Sequence, residues 1–565
     1  MAERRSLSPF VIVLFLTALS ACVFGPALQN PFYFDDIIVL RDNEWLKSVS
    51  LPFFWFRSYF IDSTQLFNGY RPTLMWSFWI NTRLLGNEPA ALRFGNILLH
   101  SLNAILLFFF LRSLIRDSSR SFIAWGTATL FLLHPLQTLP INFLWKRSSL
   151  LETTFLLLAL FLHARERHRN EYRIKILATQ IVLYALAFTS KESGLLLPCY
   201  FLLVDFLFFG SWNVLRNKRS WVLYGWMLLT ALPFLWFRLH VIPEWIAANQ
   251  GALPNRRFVS RMDYLQQQLV VLPDYVRLWL YPAPLLLDDP HSLTEFPWSG
   301  LVTTLSLVLL SITVSLRFRH HPVVPFSIAL FWIALSSTSV SPLFLVKDQV
   351  RLYLPLAGLS LLLVQTITAI RPLIGRALWM ILVVVYALFS VYQNLRYRSP
   401  VLIWADVATN YPQSGMAWEG LGSALQEAQQ FRQAADAYQR ANKVEPGNHI
   451  YLVDALYCSY RSGQPPTELL EQAKRISTDL LDVRRMINLA IVEAELGEFD
   501  QAEKHFNDAI LANPSYGLTY LNLGIFLERR GKKERAFEAY QLAQRLLPGH
   551  PIASSGVERL RSSLP

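Results

Sequence analysis

The sequence predicts an all-α protein in which a polytopic helical membrane domain, with about eleven transmembrane helices, precedes a solenoid of helical repeats. Three observations support this prediction. Apolar runs of spanning length recur from residue 10 to residue 395, a 34-residue period begins at residue 415, and the net charge changes sign between these regions. With 53% apolar and only 16% charged residues, the chain is too apolar for an ordinary soluble protein.

The charge distribution argues against a nucleic-acid partner. Residues 1–399 carry a net charge of about +15 and residues 400–565 about −3, which together give the +12 of the whole chain. Lys and Arg collect in the cytoplasmic loops of membrane proteins, so the basic excess follows from topology. Cys22, Cys199 and Cys458 are too few and too dispersed for a disulfide framework or a zinc site.

The first predicted span runs from Phe10 to about Leu28 and follows a basic N-terminus, which places its beginning inside. Cleavage at a lipoprotein-type sequence ending at Cys22 is the alternative, but the apolar run continues past that cysteine. In both cases Asp35 and Asp36 are predicted to lie on the outer side of the membrane.

Ten further apolar runs of spanning length follow. They lie at about 91–113, 121–140, 142–163, 174–190, 194–210, 221–240, 299–316, 323–343, 351–370 and 377–395. The loop of about 60 residues before them contains two shorter apolar stretches, Leu51–Phe60 and Pro72–Leu85. Because these stretches are too short to span a bilayer, we predict that they lie in the membrane interface.

Residues 263–287 are ambiguous, because polar residues such as Gln267 and Asp274 interrupt their apolar pattern. A crossing at this point would move two basic loops to the outside. The positive-inside rule therefore favours a re-entrant or surface helix. With that topology the C-terminal domain lies outside, on the same side as Asp35 and Asp36.

The C-terminal region contains a 34-residue period with small, aromatic and proline residues at fixed positions. In the first unit these residues are Trp418, Leu421, Gly422, Ala434, Tyr438, Ala441 and Pro446. Units that begin at residues 483 and 517 repeat the pattern, whereas residues 449–482 keep the length but little of the pattern. This is the tetratricopeptide pattern of stacked helix pairs.

The period sets the predicted domain boundaries. They give a membrane domain over 1–398, a linker over 399–414, four repeats over 415–550 and a tail over 551–565. A stack of this kind generally binds extended peptide on its concave face, although a purely structural stack is the alternative. The aromatic residues Trp418, Tyr438 and Tyr520 are the candidate acceptor contacts.

Charged residues and a histidine gather at the predicted outer ends of the spans, where they cost free energy unless they pair or face an aqueous cavity. They are Asp35, Asp36, Arg71, His134, Lys146, Arg147, Lys191, Glu192, Lys347, Asp348 and Arg351. Solvated loop charges are the simplest explanation for each residue alone. The whole set, spread over several loops, instead predicts a site.

Two carboxylates that face several cations suit the transfer of a sugar from a lipid phosphate. The cations would hold the departing phosphate, and electrostatic stabilisation would supply most of the barrier reduction. The cation candidates are Arg71, Lys146, Arg147, Lys191 and Arg351. Asp35 or Asp36 would accept the proton of the acceptor hydroxyl, with His134 as a second candidate base.

Several of these residues lie in short motifs that occur in a characteristic order. The motifs are Asn30–Asp36, Tyr70–Pro72, Leu98–His100, Leu133–Pro135, Arg147 with its Leu-rich continuation, Ser190–Glu192 and Leu352–Pro355. In this order, with repeats appended, they resemble the transmembrane and tetratricopeptide-repeat O-mannosyltransferases (TMTC-like) of the GT-C superfamily. This chain departs from the family before the last motif. Family members usually have an acidic residue directly followed by Arg at that place. Here Asp348 and Arg351 are one helical turn apart.

The resemblance implies a GT-C-like membrane domain that takes mannose from a polyprenyl- or dolichyl-phosphate donor and transfers it to a Ser or Thr hydroxyl of a protein. It further implies an acidic pair that acts as base or contacts a divalent cation, and a site that faces the periplasm or lumen. Supporting roles then fall to His100, His134, Glu192 and Asp348.

Two other functions are consistent with the sequence: a non-enzymatic membrane scaffold for the repeats, and a transferase that modifies a glycan or lipid. The short loops favour a bacterial inner membrane over the endoplasmic reticulum. The expected partners are a sugar-carrying polyprenyl phosphate and an acceptor polypeptide bound by the repeats.

Overall fold

The computed structural model describes residues 8–33, 36–41, 71–115, 120–169, 173–210, 218–241, 260–286, 296–340, 346–446, 448–464, 467–476, 481–547 and 549–562. Within these ranges every regular element is helical, which confirms the all-α prediction. The described residues divide into two compact units, one ending at Ile403 and the other beginning at Trp404. Asp35 and the predicted interfacial stretch Leu51–Phe60 lie outside the described residues.

The first unit is built from α-helices joined by short 3-10 turns. Its helices are α1 (Pro9–Phe24), α2 (Pro72–Leu85), α3 (Pro89–Leu114), α4 (Arg120–Leu133), α5 (Thr138–Asn142), α6 (Arg147–Arg169), α7 (Ile174–Ser190), α8 (Leu197–Phe208), α9 (Lys218–Trp236), α10 (Arg261–Leu280), α11 (Trp298–Arg317), α12 (Val323–Val340), α13 (Pro355–Thr368) and α14 (Pro372–Arg396). In its core, α3 packs against α4 and α6, and α12 packs against α13.

Within the described ranges, five helical segments are long and apolar enough to cross a membrane. They are Pro9–Gln29, Pro89–Leu114, Leu144–Arg169, Trp298–Arg317 and Leu373–Arg396. Five further apolar helices have only 10–17 residues: Ser121–Leu133, Ile174–Ser190, Ser220–Trp236, Val323–Ser339 and Pro355–Thr368. The count of eleven spans therefore stays a prediction.

One reason for the shorter helices is visible between α4 and α6. The apolar runs 121–140 and 142–163 predict two helices with almost no gap, but α4 ends at Leu133 and α6 begins at Arg147. Pro135 and Pro140 lie between them, and proline lacks the N–H that helix continuation requires. Short helical turns fill the gap and carry Lys146 at their end.

Of the ambiguous residues 263–287, those up to Leu280 belong to α10, which is not among the candidate spans of the described ranges. Pro273 lies inside this helix and cannot donate a hydrogen bond to the carbonyl of Leu269. The Thr304 hydroxyl of α11 donates to that carbonyl instead, at 2.7 Å. Gly300 allows this approach, because a Cβ at its position would lie 3.0 Å from the Leu269 oxygen. The backbone group that proline leaves unpaired is thus satisfied by a neighbouring helix.

The second unit stacks helix pairs in the predicted order. After α15 (Pro400–Asn410), which straddles the boundary between the units, come α16 (Gly415–Glu427), α17 (Phe431–Val444), α18 (His449–Arg461), α19 (Thr467–Ala473), α20 (Val483–Glu495), α21 (Phe499–Ala512), α22 (Gly517–Arg529), α23 (Lys533–Leu546) and α24 (Pro551–Arg561). The second helix of the atypical repeat, α19, has only seven residues, against fourteen in its three counterparts. The degenerate sequence thus shortens one helix and keeps the pairing.

The turn inside each pair requires a positive φ at one fixed position. Gly463, Gly497 and Gly531 take it with φ of 76°, 88° and 74°, and each is separated from the next by one period. In the first repeat the same position is Gln429, with φ of 61°. Because a side chain disfavours the left-handed region, this repeat has a strained turn where the others have glycine.

Candidate functional site

Charged side chains from four segments of the first unit lie together at the ends of its helices. Lys146 donates to Asp348 Oδ2 at 2.7 Å, and Arg71 donates to Glu192 Oε2 at 3.0 Å. Lys191 donates to Ser149 Oγ at 3.0 Å. The segments that carry these residues are up to 277 residues apart in sequence, so the fold alone brings them together.

A small polar cleft, with enclosed room for about one water molecule, adjoins these residues. Its lining includes Ser149, Glu152, Lys191, Ser193 and Arg351. Glu152 lies 3.8 Å from the Lys191 ammonium, and its side chain is only 6% exposed. Glu152 was not among the predicted site residues, although a carboxylate inside an apolar run is a signal of function.

The charges of the cluster shift the pKa values of Lys191 and Asp348. Burial lowers the pKa of Lys191, and the nearby Glu152 carboxylate counteracts that effect only in part. Burial alone would raise the pKa of Asp348, but the Lys146 ammonium and the Arg351 guanidinium outweigh it and lower this pKa. Asp348 is therefore ionised at neutral pH and forms a true ion pair with Lys146.

Asp36 lies beside this cluster and is fully buried. Its carboxylate accepts the backbone N–H groups of Leu144 at 3.1 Å and Trp145 at 2.9 Å. These two residues begin the 3-10 turn that ends with Lys146. Asp36 thus fixes the turn that presents Lys146.

The segment before Asp36 is anchored by residues that sequence analysis did not single out. Arg93 donates to the carbonyl oxygens of Asn30 and Pro31. The Asn30 amide donates to Asn142 Oδ1 at 2.5 Å and to the Asn394 carbonyl at 3.0 Å. Arg93 could have been recognised from the sequence, because an arginine within an apolar run is a signal of a structural or functional role.

Among the residues that the structure describes, no group of three or more His, Cys, Asp or Glu side chains is placed to hold a metal ion. The divalent cation therefore stays an untested prediction.

Comparisons with known proteins support the motif-based resemblance. A family model described as tetratricopeptide repeat matches residues 487–551. The protein O-mannosyl-transferase F38B6.6 of Caenorhabditis elegans is 29% identical over 281 residues, which are 48% of this chain and 37% of the relative. The protein O-mannosyl-transferase TMTC3 of Mus musculus is 24% identical over 605 aligned residues, covering 95% of this chain and 64% of the relative.

The chain resembles the transmembrane and tetratricopeptide-repeat O-mannosyltransferases. It spans less than two thirds of the length of these curated relatives. Among solved structures, the oligosaccharyltransferase of Archaeoglobus fulgidus matches with a TM-score of 0.40 and 14% identity, over 72% of this chain and 58% of that chain.

Two motifs of the family meet at His100. Its Nδ1 lies 2.8 Å from the hydroxyl of Tyr353, which belongs to the Leu352–Pro355 motif. Its Nε2 lies 3.0 Å from the Leu132 carbonyl, which can only accept, so Nε2 carries the proton. His100 is fully buried and joins α3, α4 and the segment before α13. Its supporting role in the site stays a prediction.

Arg147 is not part of the cation cluster. It is 1% exposed, and its guanidinium donates to Asn96 Oδ1 at 2.5 Å, Asn81 Oδ1 at 3.0 Å and the Leu92 carbonyl at 2.6 Å. The same group lies 4.1 Å from the centre of the Phe78 ring. Because these contacts use its donors, Arg147 is better explained as a cross-link of α2, α3 and α6 than as a phosphate ligand.

His134 is likewise engaged on both ring nitrogens. Its Nδ1 accepts the Leu136 N–H at 3.3 Å, and its Nε2 lies 3.1 Å from the Trp279 carbonyl. The Nδ1 lone pair is thus engaged by the Leu136 N–H, and His134 caps the turn after α4. Its role as a second candidate base stays a prediction.

The aromatic candidates of the repeats have structural contacts as well. Tyr438 is fully buried, its hydroxyl donates to Gln426 Oε1 at 3.2 Å, and a Cβ on Gly422 would lie 2.9 Å from its ring. It belongs to the core and is not placed to touch an acceptor. Trp418 and Tyr520, at the same repeat position, donate to the carbonyls of Pro412 and Pro514 at 2.9 and 3.0 Å.

Proposed function

We propose that this chain is a membrane-embedded glycosyltransferase that moves a monosaccharide, mannose by resemblance, from a polyprenyl-phosphate donor to a Ser or Thr hydroxyl of a protein. The observation that carries the proposal is the convergence of Arg71, Lys146, Lys191 and Arg351 at one end of the first unit. The names of the similar proteins give the same reaction class.

The cations of the cluster suit a departing phosphate. In the structure Lys146 and Arg71 are paired with Asp348 and Glu192. A donor phosphate would replace these carboxylates as the counter-ion of the cations. Without the donor, the carboxylates compensate the positive charges. As the bond between the anomeric carbon and the phosphate oxygen breaks, the growing negative charge is stabilised where the cations are already oriented.

The acceptor hydroxyl would attack the anomeric carbon from the side opposite the phosphate, and its proton would pass to a carboxylate. Asp35 is the preferred base, because both Asp36 oxygens accept backbone N–H groups. Asp36 would act by holding the turn that carries Lys146. The repeats would bind the acceptor polypeptide, outside the membrane on the periplasmic or luminal side.

The test uses the purified full-length chain with radiolabelled polyprenyl-phosphate mannose and Ser- or Thr-containing polypeptide. We expect mannose transfer that falls at least tenfold in Asp35→Asn and in Lys146→Gln. The matched control is Arg319→Gln, which removes an exposed cation of the same unit and should leave transfer unchanged.

Three outcomes would argue against the proposal. Full activity in both site variants would exclude Asp35 as the base and Lys146 as a phosphate ligand. Product on a glycan or lipid would change the acceptor class. Absence of transfer by the wild type, with function restored by the repeats on an unrelated membrane anchor, would favour a scaffold.

A further inference from the structure

Helix α10 buries one face along its whole length. The buried residues Tyr264, Gln268, Val271, Tyr275 and Leu278 follow one another at spacings of four, three, four and three, which is the spacing of a single helical face. Three of the five carry polar groups. Burial of a polar side chain costs free energy unless it finds a hydrogen-bond partner. The partners of these polar groups therefore identify the segment that α10 holds in place.

The partners lie in the segment Val346–Leu352, which precedes α13 and carries Asp348 and Arg351. Gln268 donates to the Val346 carbonyl at 3.0 Å. Asp274 pairs with Lys347 at 2.7 Å. Two consecutive residues of the segment are therefore held by residues on different turns of α10.

Tyr275 holds the backbone of Asp348 twice. Its hydroxyl donates to the Asp348 carbonyl oxygen at 3.0 Å and accepts the Asp348 N–H at 3.1 Å. Asp348 in turn uses Oδ1 to accept the Val350 N–H and Oδ2 to accept from Lys146. The direction of the Lys146 ammonium thus depends on a residue that Tyr275 keeps in place.

Tyr264 holds the side chain of Arg351 in a similar way. Its hydroxyl accepts from Arg351 Nη1 at 3.1 Å and donates to the Thr338 carbonyl. Arg351 Nη1 also donates to the Val346 carbonyl at 2.7 Å. Arg351 lines the polar cleft, and these contacts fix its guanidinium before any ligand binds.

We infer that α10 is a positioning element of the cleft, in which Tyr275 acts through Asp348 and Tyr264 acts through Arg351 to set the affinity for the phosphate of the donor. The inference rests on the proposed function. Neither tyrosine is a catalytic residue; each pre-orders a charged residue, so that less conformational entropy is lost when the phosphate binds.

The test compares Tyr275→Phe and Tyr264→Phe with the wild type, using the full-length protein and radiolabelled polyprenyl-phosphate mannose. Each variant keeps the ring and removes one hydroxyl. We expect the donor KM to rise about two- to tenfold, the effect of one or two lost hydrogen bonds, while the acceptor KM stays unchanged. The Tm should fall modestly, because buried groups lose a hydrogen-bond partner. Tyr281→Phe is the matched control, because Tyr281 follows α10 directly and is 66% exposed.

A double-mutant cycle separates positioning from general loosening. If Tyr275 acts through Asp348, the change in donor KM in Tyr275→Phe combined with Asp348→Asn will be smaller than the product of the two single changes. Independent effects, or wild-type donor KM in both tyrosine variants, would overturn the inference and leave the proposed function standing. A wild type that neither binds nor uses the donor would overturn both.

Discussion

The Lys146 ammonium donates to Asp348 Oδ2 at 2.7 Å and so joins two segments that are 202 residues apart. Because this cation lowers the pKa of Asp348, the ion pair makes stability depend on pH. A carboxyl with a lower pKa in the folded state stabilises the fold above its unfolded pKa of about 3.9, and this contribution is lost as the pH falls below that value.

We therefore expect Asp348→Asn to lower the Tm at pH 7 and to have a shrinking effect as the pH is reduced below about 4. Thermal unfolding of the wild type and the variant between pH 7 and pH 3 measures this difference. A Tm difference that does not change with pH would show that the loss comes from packing and not from the charge of Asp348.

Arg147 provides a test of a structural role against a phosphate-binding one. Substitution by Lys keeps the charge but loses the planar set of donors that reaches Asn96, Asn81 and the Leu92 carbonyl. We expect Arg147→Lys to lower the Tm and to leave the donor KM of the folded protein unchanged. A raised donor KM at unchanged Tm would restore the phosphate-binding role for Arg147.

In the repeat unit, Arg485 connects three carboxylates. It donates to Asp454 at 2.8 Å and Glu419 at 3.0 Å, and it also pairs with Asp482. Despite burial, these carboxylates raise the pKa of Arg485 well above its ordinary value. The Asp454 side chain is fully buried, and without Arg485 its remaining cation is Arg484 at 4.0 Å, so its charge is left poorly compensated.

We expect Arg485→Met to destabilise the repeats by about 3–5 kcal/mol. The loss is measured by denaturant unfolding of the full-length chain, in which protease cleavage within residues 404–565 reports unfolding of the repeats. The matched control is Arg475→Met, which removes an exposed arginine of the same unit and should cost less than about 0.5 kcal/mol. Equal effects in both variants would contradict a special role for the buried cluster.

The strained turn at Gln429 predicts a stabilising substitution. Its φ of 61° lies in the left-handed region that glycine adopts at the equivalent positions of the other repeats. We expect Gln429→Gly to stabilise the first repeat by up to about 1 kcal/mol, since the steric cost of the side chain disappears. Thermal unfolding measures the gain.

The neighbouring residue supplies the control for this turn. Gln430 has φ of −90°, so a glycine there relieves no strain and adds backbone entropy to the unfolded chain. Gln430→Gly should therefore destabilise the repeat. A gain in Tm for both variants would contradict the explanation by local strain.

The sequence determined the helical class, the repeats and the family resemblance, because these rest on local patterns. Apolar runs and a 34-residue period can be recognised without knowing which segments meet. The positions of charged residues at the predicted ends of spans also indicated Arg71, Lys146, Lys191 and Arg351. These residues lie in one charged cluster, in which Lys191 and Arg351 line the cleft.

Only the tertiary structure decided what each of these residues does. Lys146 and Arg147 are neighbours in sequence and were expected to act alike. Lys146 ends a 3-10 turn and pairs with Asp348, whereas Arg147 begins α6 and donates to Asn81 and Asn96. The change of helix type between them sends their side chains to different neighbours, and no local pattern encodes who those neighbours are.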